Sequence, residues 1–157
     1  MAEERIARME QVELEVPIAV PRSRVWQALT EETDAWWLAD FRALGEDSTV
    51  RFDARVGGVL SESGDGGSGL VWYSVQMVEP GSTLYLVGHT APDWGGPVLS
   101  MLKLSLRDVD EGAVLRVVDA LMGKVGEEQA ASVESGWARL FGDGLKAYVE
   151  GKPRAAE

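Results

Sequence analysis

Two polar residues and a set of aromatic ones are the parts of this chain that could do chemistry. His89 is its sole histidine, and an imidazole titrates near neutrality, as a general acid or base must. It stands where an alternating apolar run gives way to a loop holding Pro92, Trp94, Gly95, Gly96 and Pro97. The sequence assigns it no carboxylate partner, so the preferred reading is a polar residue at a strand end. Asp119 is the sharper candidate, because it shares its parity with Leu115, Val117 and Leu121. If that face lines a cavity, a carboxylate lies in an apolar wall and its pKa rises; if the strand frays there, the group is merely solvated. Solvation is the preferred expectation. Six tryptophans are many for 157 residues. Trp37, Trp72, Trp94 and Trp137, with Phe41, Phe52, Met101 and Phe141, are the expected wall of a small-molecule pocket, for which His89 or Asp119 would be the polar anchor. Filling a core is the alternative for the same residues, and Trp26 is assigned to the core outright.

Other chemistries lack their residues. With no cysteine there is no thiol nucleophile or disulfide, and one histidine removes the usual zinc set. Gly64-Asp65-Gly66-Gly67-Ser68-Gly69 matches GxGxxG, but a strand follows where phosphate binding needs a helix N-terminus, so it reads as a hairpin turn. No GxxxxGK[ST] loop and no GxSxG elbow occurs. The adjacent acids Glu31-Glu32 and Asp110-Glu111 read as solvated faces. Twenty-six acidic residues against 15 basic ones give a net charge of -11, which opposes nucleic acids and anionic membranes. No apolar run approaches the length of a membrane span, and the opening MAEERIARMEQ is too charged for a signal peptide. The expectation is a soluble, cytoplasmic protein without metal or cofactor.

The elements that must position these residues follow from periodicity. Val12, Leu14, Val16, Ile18 and Val20 alternate with polar residues over 11–20, the pattern of a half-buried strand that Pro21 closes. Two short helices follow, one with Val25, Trp26 and Leu29 on a face, the other holding Ala35, Trp36, Trp37 and Leu38. Strands are then expected over 49–54, 59–62, 70–78, 83–88, 98–107 and 113–121, separated by Gly- and Pro-containing turns. In 70–78 both parities are apolar, so the period leaves open whether Trp72 or Tyr73 faces inward.

The last stretch, 125–150, repeats Val133, Trp137, Leu140, Phe141, Leu145, Tyr148 and Val149 at helical spacing, with Glu127 and Glu128 at its start and Gly151 and Pro153 beyond its end. Such a helix is roughly 39 Å long, enough to cross a seven-stranded sheet of roughly 29 Å. Gly136, Gly142 and Gly144 inside it cost about 1 kcal/mol each against alanine, so packing has to hold it. They would admit a strand backbone, the preferred reading, or leave room for something that is not protein. The order describes an α+β domain over 11–151, with a polar lead at 1–10 and a tail at 152–157.

These words in this order resemble the START-like superfamily, also called SRPBCC or Bet v-like, and within it the branch named after activators of the heat-shock chaperone ATPase. The resemblance is carried by Ile18-Ala19-Val20-Pro21 leading to Val25-Trp26-Gln27-Ala28-Leu29-Thr30, by Trp36-Trp37, Gly57-Gly58, Val78-Glu79-Pro80 with Leu84, and by Gly136-Trp137 with Leu140, Leu145 and Lys146. It implies a helix-grip fold, a curved antiparallel sheet of about seven strands wrapped around the C-terminal helix, often with a cavity between them. For function it implies, first, a binder of a small hydrophobic or aromatic molecule. The other implied functions are an interaction module for a chaperone or other protein partner, with a homodimer as a further possibility, and a cyclase- or dehydratase-like enzyme. Many relatives carry a histidine where this chain has Asp119, and the loop 89–97 also departs from the family pattern, which weakens any catalytic role copied from relatives; for the enzyme reading the catalytic candidates are His89 and Asp119.

Overall fold

The computed structural model describes residues 5–151; the expected C-terminal tail and the first four residues of the expected lead lie outside them. The N-terminal alternation forms β1 (Arg8–Ile18), followed by α1 (Arg22–Glu31) and α2 (Thr33–Trp36). Six strands come next: β2 (Thr49–Phe52), β3 (Val59–Ser63), β4 (Gly69–Glu79), β5 (Thr83–Thr90), β6 (Val98–Val109) and β7 (Gly112–Gly123). They make one antiparallel sheet in the order β1-β7-β6-β5-β4-β3-β2. The α+β helix-grip arrangement read from the sequence is therefore present. β1 begins at Arg8, inside the expected polar lead, because β7 is long enough to pair Arg8 with Gly123 at one end and Ile18 with Ala113 at the other. Pro17 is tolerated within β1 because β1 is an edge strand.

The C-terminal helix is not uniform, as the spacing had suggested. An α-helical section, α3 (Glu127–Arg139), widens into a π-helical section over Leu140–Lys146 and closes with α4 (Ala147–Val149). The Ala147 amide accordingly donates to the Gly142 carbonyl five residues back. Burial differs along this helix. Within α3 only Ala130 is fully buried, whereas the π section buries Leu140, Phe141, Gly144 and Leu145. The core sits under that second half, where Leu140, Phe141 and Leu145 meet Val25, Leu29, Trp36 and the inward residues of β5 to β7.

The glycines follow the same division. A Cβ on Gly144 would stand 2.7 Å from the Trp36 carbonyl oxygen, so this glycine admits the backbone of α2 rather than a strand. A Cβ on Gly136 would meet only the Phe41 ring, at 3.9 Å, and one on Gly142 would meet nothing within 4 Å. Tight packing thus applies to one of the three. Trp36 is a core residue, its indole donating to the Ala28 carbonyl at 2.8 Å. The helix end is tied to α1 through Glu32, which accepts from Arg24 and from the Tyr148 hydroxyl, each at 2.5 Å.

Candidate functional site

Between α3 and the concave face of the sheet lies a cavity of about 630 Å³. The register of β4 accounts for much of its wall. Leu60 pairs with Tyr73 but Ser61 with Val71, so Trp72 is an extra residue in β4. A bulge of this kind turns two successive side chains toward one face. Both Trp72 and Tyr73 line the cavity as a result, which resolves the parity that the sequence left open. Gly88 on the neighbouring β5 makes room, since a Cβ there would lie 2.5 Å from the Trp72 carbonyl oxygen and 2.9 Å from the Tyr73 ring.

A chain of hydrogen bonds crosses this wall from β4 through β6 and β7 to α3. Ser100 Oγ donates to Asp119 Oδ1 at 2.6 Å, and Trp137 Nε1 donates to Asp119 Oδ2 at 2.9 Å. The Ser100 hydroxyl has one proton, so the 2.7 Å contact with Tyr73 is a bond donated by the tyrosine. Asp119 is only 1% exposed. Burial pushes its carboxyl above the usual aspartate value, and the hydrogen bonds from Ser100 and Trp137 offset this only in part. Burial also raises the Tyr73 phenol, with the Asp119 charge adding to it. The preferred expectation of a solvated Asp119 is therefore overturned: β7 does not fray there, being paired with β1 through Val12 and with β6 through Leu102.

A second buried carboxylate lies toward the opposite edge of the sheet. Glu62 on β3 is also 1% exposed. Its Oε1 accepts from the Ala43 amide at 3.0 Å and from Trp72 Nε1 at 3.1 Å; its Oε2 accepts from the Leu44 amide and the Ser48 hydroxyl, both at 2.7 Å. Burial alone would raise its pKa, but these four bonds together lower it.

The structure gathers most of the expected pocket residues. Trp37, Phe41, Trp72, Trp94, Asp119 and Trp137 all line the cavity. Trp37 is buried, with its ring centroid 6.2 Å from that of Trp72 and its indole donating to the Phe41 carbonyl at 3.2 Å. Trp94 is 61% exposed at the mouth, on a turn closed by Gly95 at φ +92°. His89 borders the cavity from an exposed position. Its side chain falls on the opposite parity from the buried Leu84, Leu86 and Gly88, so of the two possible anchors only Asp119 sits within the wall.

Three expected lining residues do not line it. Met101 is 40% exposed, because β6 turns Ser100, Leu102, Leu104 and Leu106 inward and Met101 out. Phe141 stacks behind Trp137 at 5.4 Å, and with Phe52 it borders a separate void of about 20 Å³. Ser100 was missed, although it shares the apolar parity of β6 just as Asp119 shares that of β7. Val133, Gly136, Gln129 and Ser132 on α3 and Lys124 before it also line the cavity; the missed signal was that the helix stripe continues into Gly136 without a large side chain to fill the space.

Among the described residues no group of three or more histidine, cysteine or acidic side chains could hold a metal ion. No helix among them is long and apolar enough to cross a membrane.

A seven-stranded antiparallel sheet gripping a C-terminal helix, with two short helices after the first strand, defines a START-like protein. The chain belongs to the family of Activator of Hsp90 ATPase homolog 1-like proteins, whose family model matches residues 19–150. Among solved structures it is similar to protein MLL2253 from Mesorhizobium loti, at 22% identity and a TM-score of 0.67 over 92% of this chain and 99% of that one. CalU16 from Micromonospora echinospora is 20% identical, with a TM-score of 0.65 over 98% of this chain and 87% of that one. The Aha1 dimer from Colwellia psychrerythraea is 20% identical, with a TM-score of 0.62 over 90% of this chain and 96% of that one. At these identities the likeness is one of fold. No curated protein sequence matches the chain.

Proposed function

We propose that this protein binds a small hydrophobic or aromatic molecule in the cavity between the sheet and the C-terminal helix. The observation that carries the reading is the wall itself: Trp37, Trp72 and Trp137 around a hollow of about 630 Å³, with Asp119 and Ser100 as polar groups. Ligand sites have this size and this mix of a mainly apolar lining with few polar anchors. Binding is favoured over catalysis because Ser100 and Asp119 are joined without a histidine, and His89 stands on the outward parity. Titrating the protein with a panel of hydrophobic molecules while following tryptophan emission tests it. A saturable change, accompanied by a raised melting temperature, is expected. No change in either measurement across the panel would remove the reading.

A second reading, a module that docks on a protein partner or a second copy, draws on the convex face. Met9, Met77, Tyr85, Met101 and Met122 are exposed, and Met9 pairs directly with Met122 across β1 and β7. Adaptable methionine side chains suit protein contacts. The solved Colwellia relative is described as a dimer. Sedimentation measurements across a range of concentrations, and of a variant with Met101 and Met122 replaced by Lys, test this reading. A monomer at every concentration removes the second copy.

A further inference from the structure

We infer that the molecule held in this cavity is a lipophilic amine, an apolar and mainly aromatic body whose one protonated amino group docks beside Asp119. The inference rests on the cavity being a ligand site, as proposed above, and it adds the charge of the ligand. An ionised carboxylate can accept about four hydrogen bonds. Glu62 receives four, and Asp119 receives two, both from neutral groups. None of the ion pairs among the described residues includes Asp119.

A buried carboxylate in this condition is costly to keep charged, and a cation at hydrogen-bonding distance relieves that cost directly. A neutral hydroxyl would fill an acceptor position without balancing the charge, and an anion would be repelled. The rings beside Asp119 favour the same choice. Tyr73 and Trp137 lie 6.1 Å apart by ring centroid, Trp37 and Trp72 lie 6.2 Å apart beyond them, and aromatic faces attract cations. Lys124 also lines the cavity, but it is exposed at the mouth, where water and salt screen it. The net charge of -11 favours the approach of a cation.

Calorimetric titration of the intact protein near neutral pH with naphthylethylamine, naphthylethanol and naphthylacetate separates the two ideas, because the three share one aromatic body. The amine is expected to bind at least about tenfold tighter than the alcohol, and the carboxylate weakest. In Asp119→Asn the advantage of amine over alcohol is expected to fall below about threefold. If the alcohol or the carboxylate binds the parent protein as tightly as the amine, the amine inference is overturned while the cavity remains a ligand site. If none of the three binds, the inference falls together with that reading of the cavity. The series on the parent protein decides the matter even if the variant does not fold.

Discussion

Glu62 and Asp119 are the two buried carboxylates of the sheet among the described residues. Each is buried on the concave side of the sheet, each lies on the strand next to an edge, and each accepts a hydrogen bond from the indole of a cavity tryptophan. Their pKa values nevertheless move in opposite directions. Two things differ: Asp119 lies deeper among protein atoms, so desolvation weighs more on it, and it has fewer donors. Glu62 collects two backbone amides and a hydroxyl from the segment before β2, so its charge is fully solvated by protein and clasps that segment to β3. Both residues have a paired strand on each side, but only Glu62 is covered by a loop segment that supplies backbone amides; Asp119 is reached by side chains alone. Burial alone therefore does not tell a structural acid from one that is available to a ligand. The depth of desolvation and the count of donors together do.

The largest expected effect comes from breaking the saturated member. Glu62→Ala leaves two amides, a hydroxyl and an indole N–H without their buried acceptor and should cost about 3 kcal/mol in urea unfolding. A loss under about 1 kcal/mol would show that the segment is held by something else. Gly144→Ala comes next, at about 2 kcal/mol, since the new methyl must displace the Trp36 backbone. Its counterpart Gly136→Ala, which faces the cavity, should instead gain up to about 1 kcal/mol from helix propensity. If the two alanines behaved alike, the contrast between the filled and hollow halves of the helix would be wrong.

Asp119→Asn removes a charge that burial disfavours, so near neutral pH its unfolding free energy should lie between no change and a gain of about 1 kcal/mol. A marked loss of stability would place Asp119 with Glu62 as a structural acid.

The smallest effect sharpens the comparison through pH. Asp119 has a raised folded pKa, so its contribution is most favourable below the usual aspartate value of 3.8 and is lost as pH climbs through the raised one. Glu62 has a lowered folded pKa, so its contribution is present above the usual glutamate value of 4.5 and is lost as pH falls below it. Unfolding curves between about pH 3 and pH 7 should show Asp119→Asn steepening the rise of stability with pH and Glu62→Gln flattening it.

The sequence by itself determined which residues alternate and which recur at helical spacing, and from these the seven strands, the short helices and the closing helix follow. Parity is a local property, since successive side chains on a strand point to opposite faces wherever the strand lies. That is why the inward placement of Asp119 was legible as one of two alternatives, and why Met101, read as a lining residue, should have been assigned to the outer face from its own neighbours. Only the tertiary structure decided the rest. The bulge at Trp72 depends on the β3 register, the π section lets Gly144 meet α2, and the donors on Glu62 come from a segment some 20 residues away. Whether a buried carboxylate is saturated, and whether a glycine marks contact or empty space, depends on atoms brought together by the whole fold, which no spacing along one segment records.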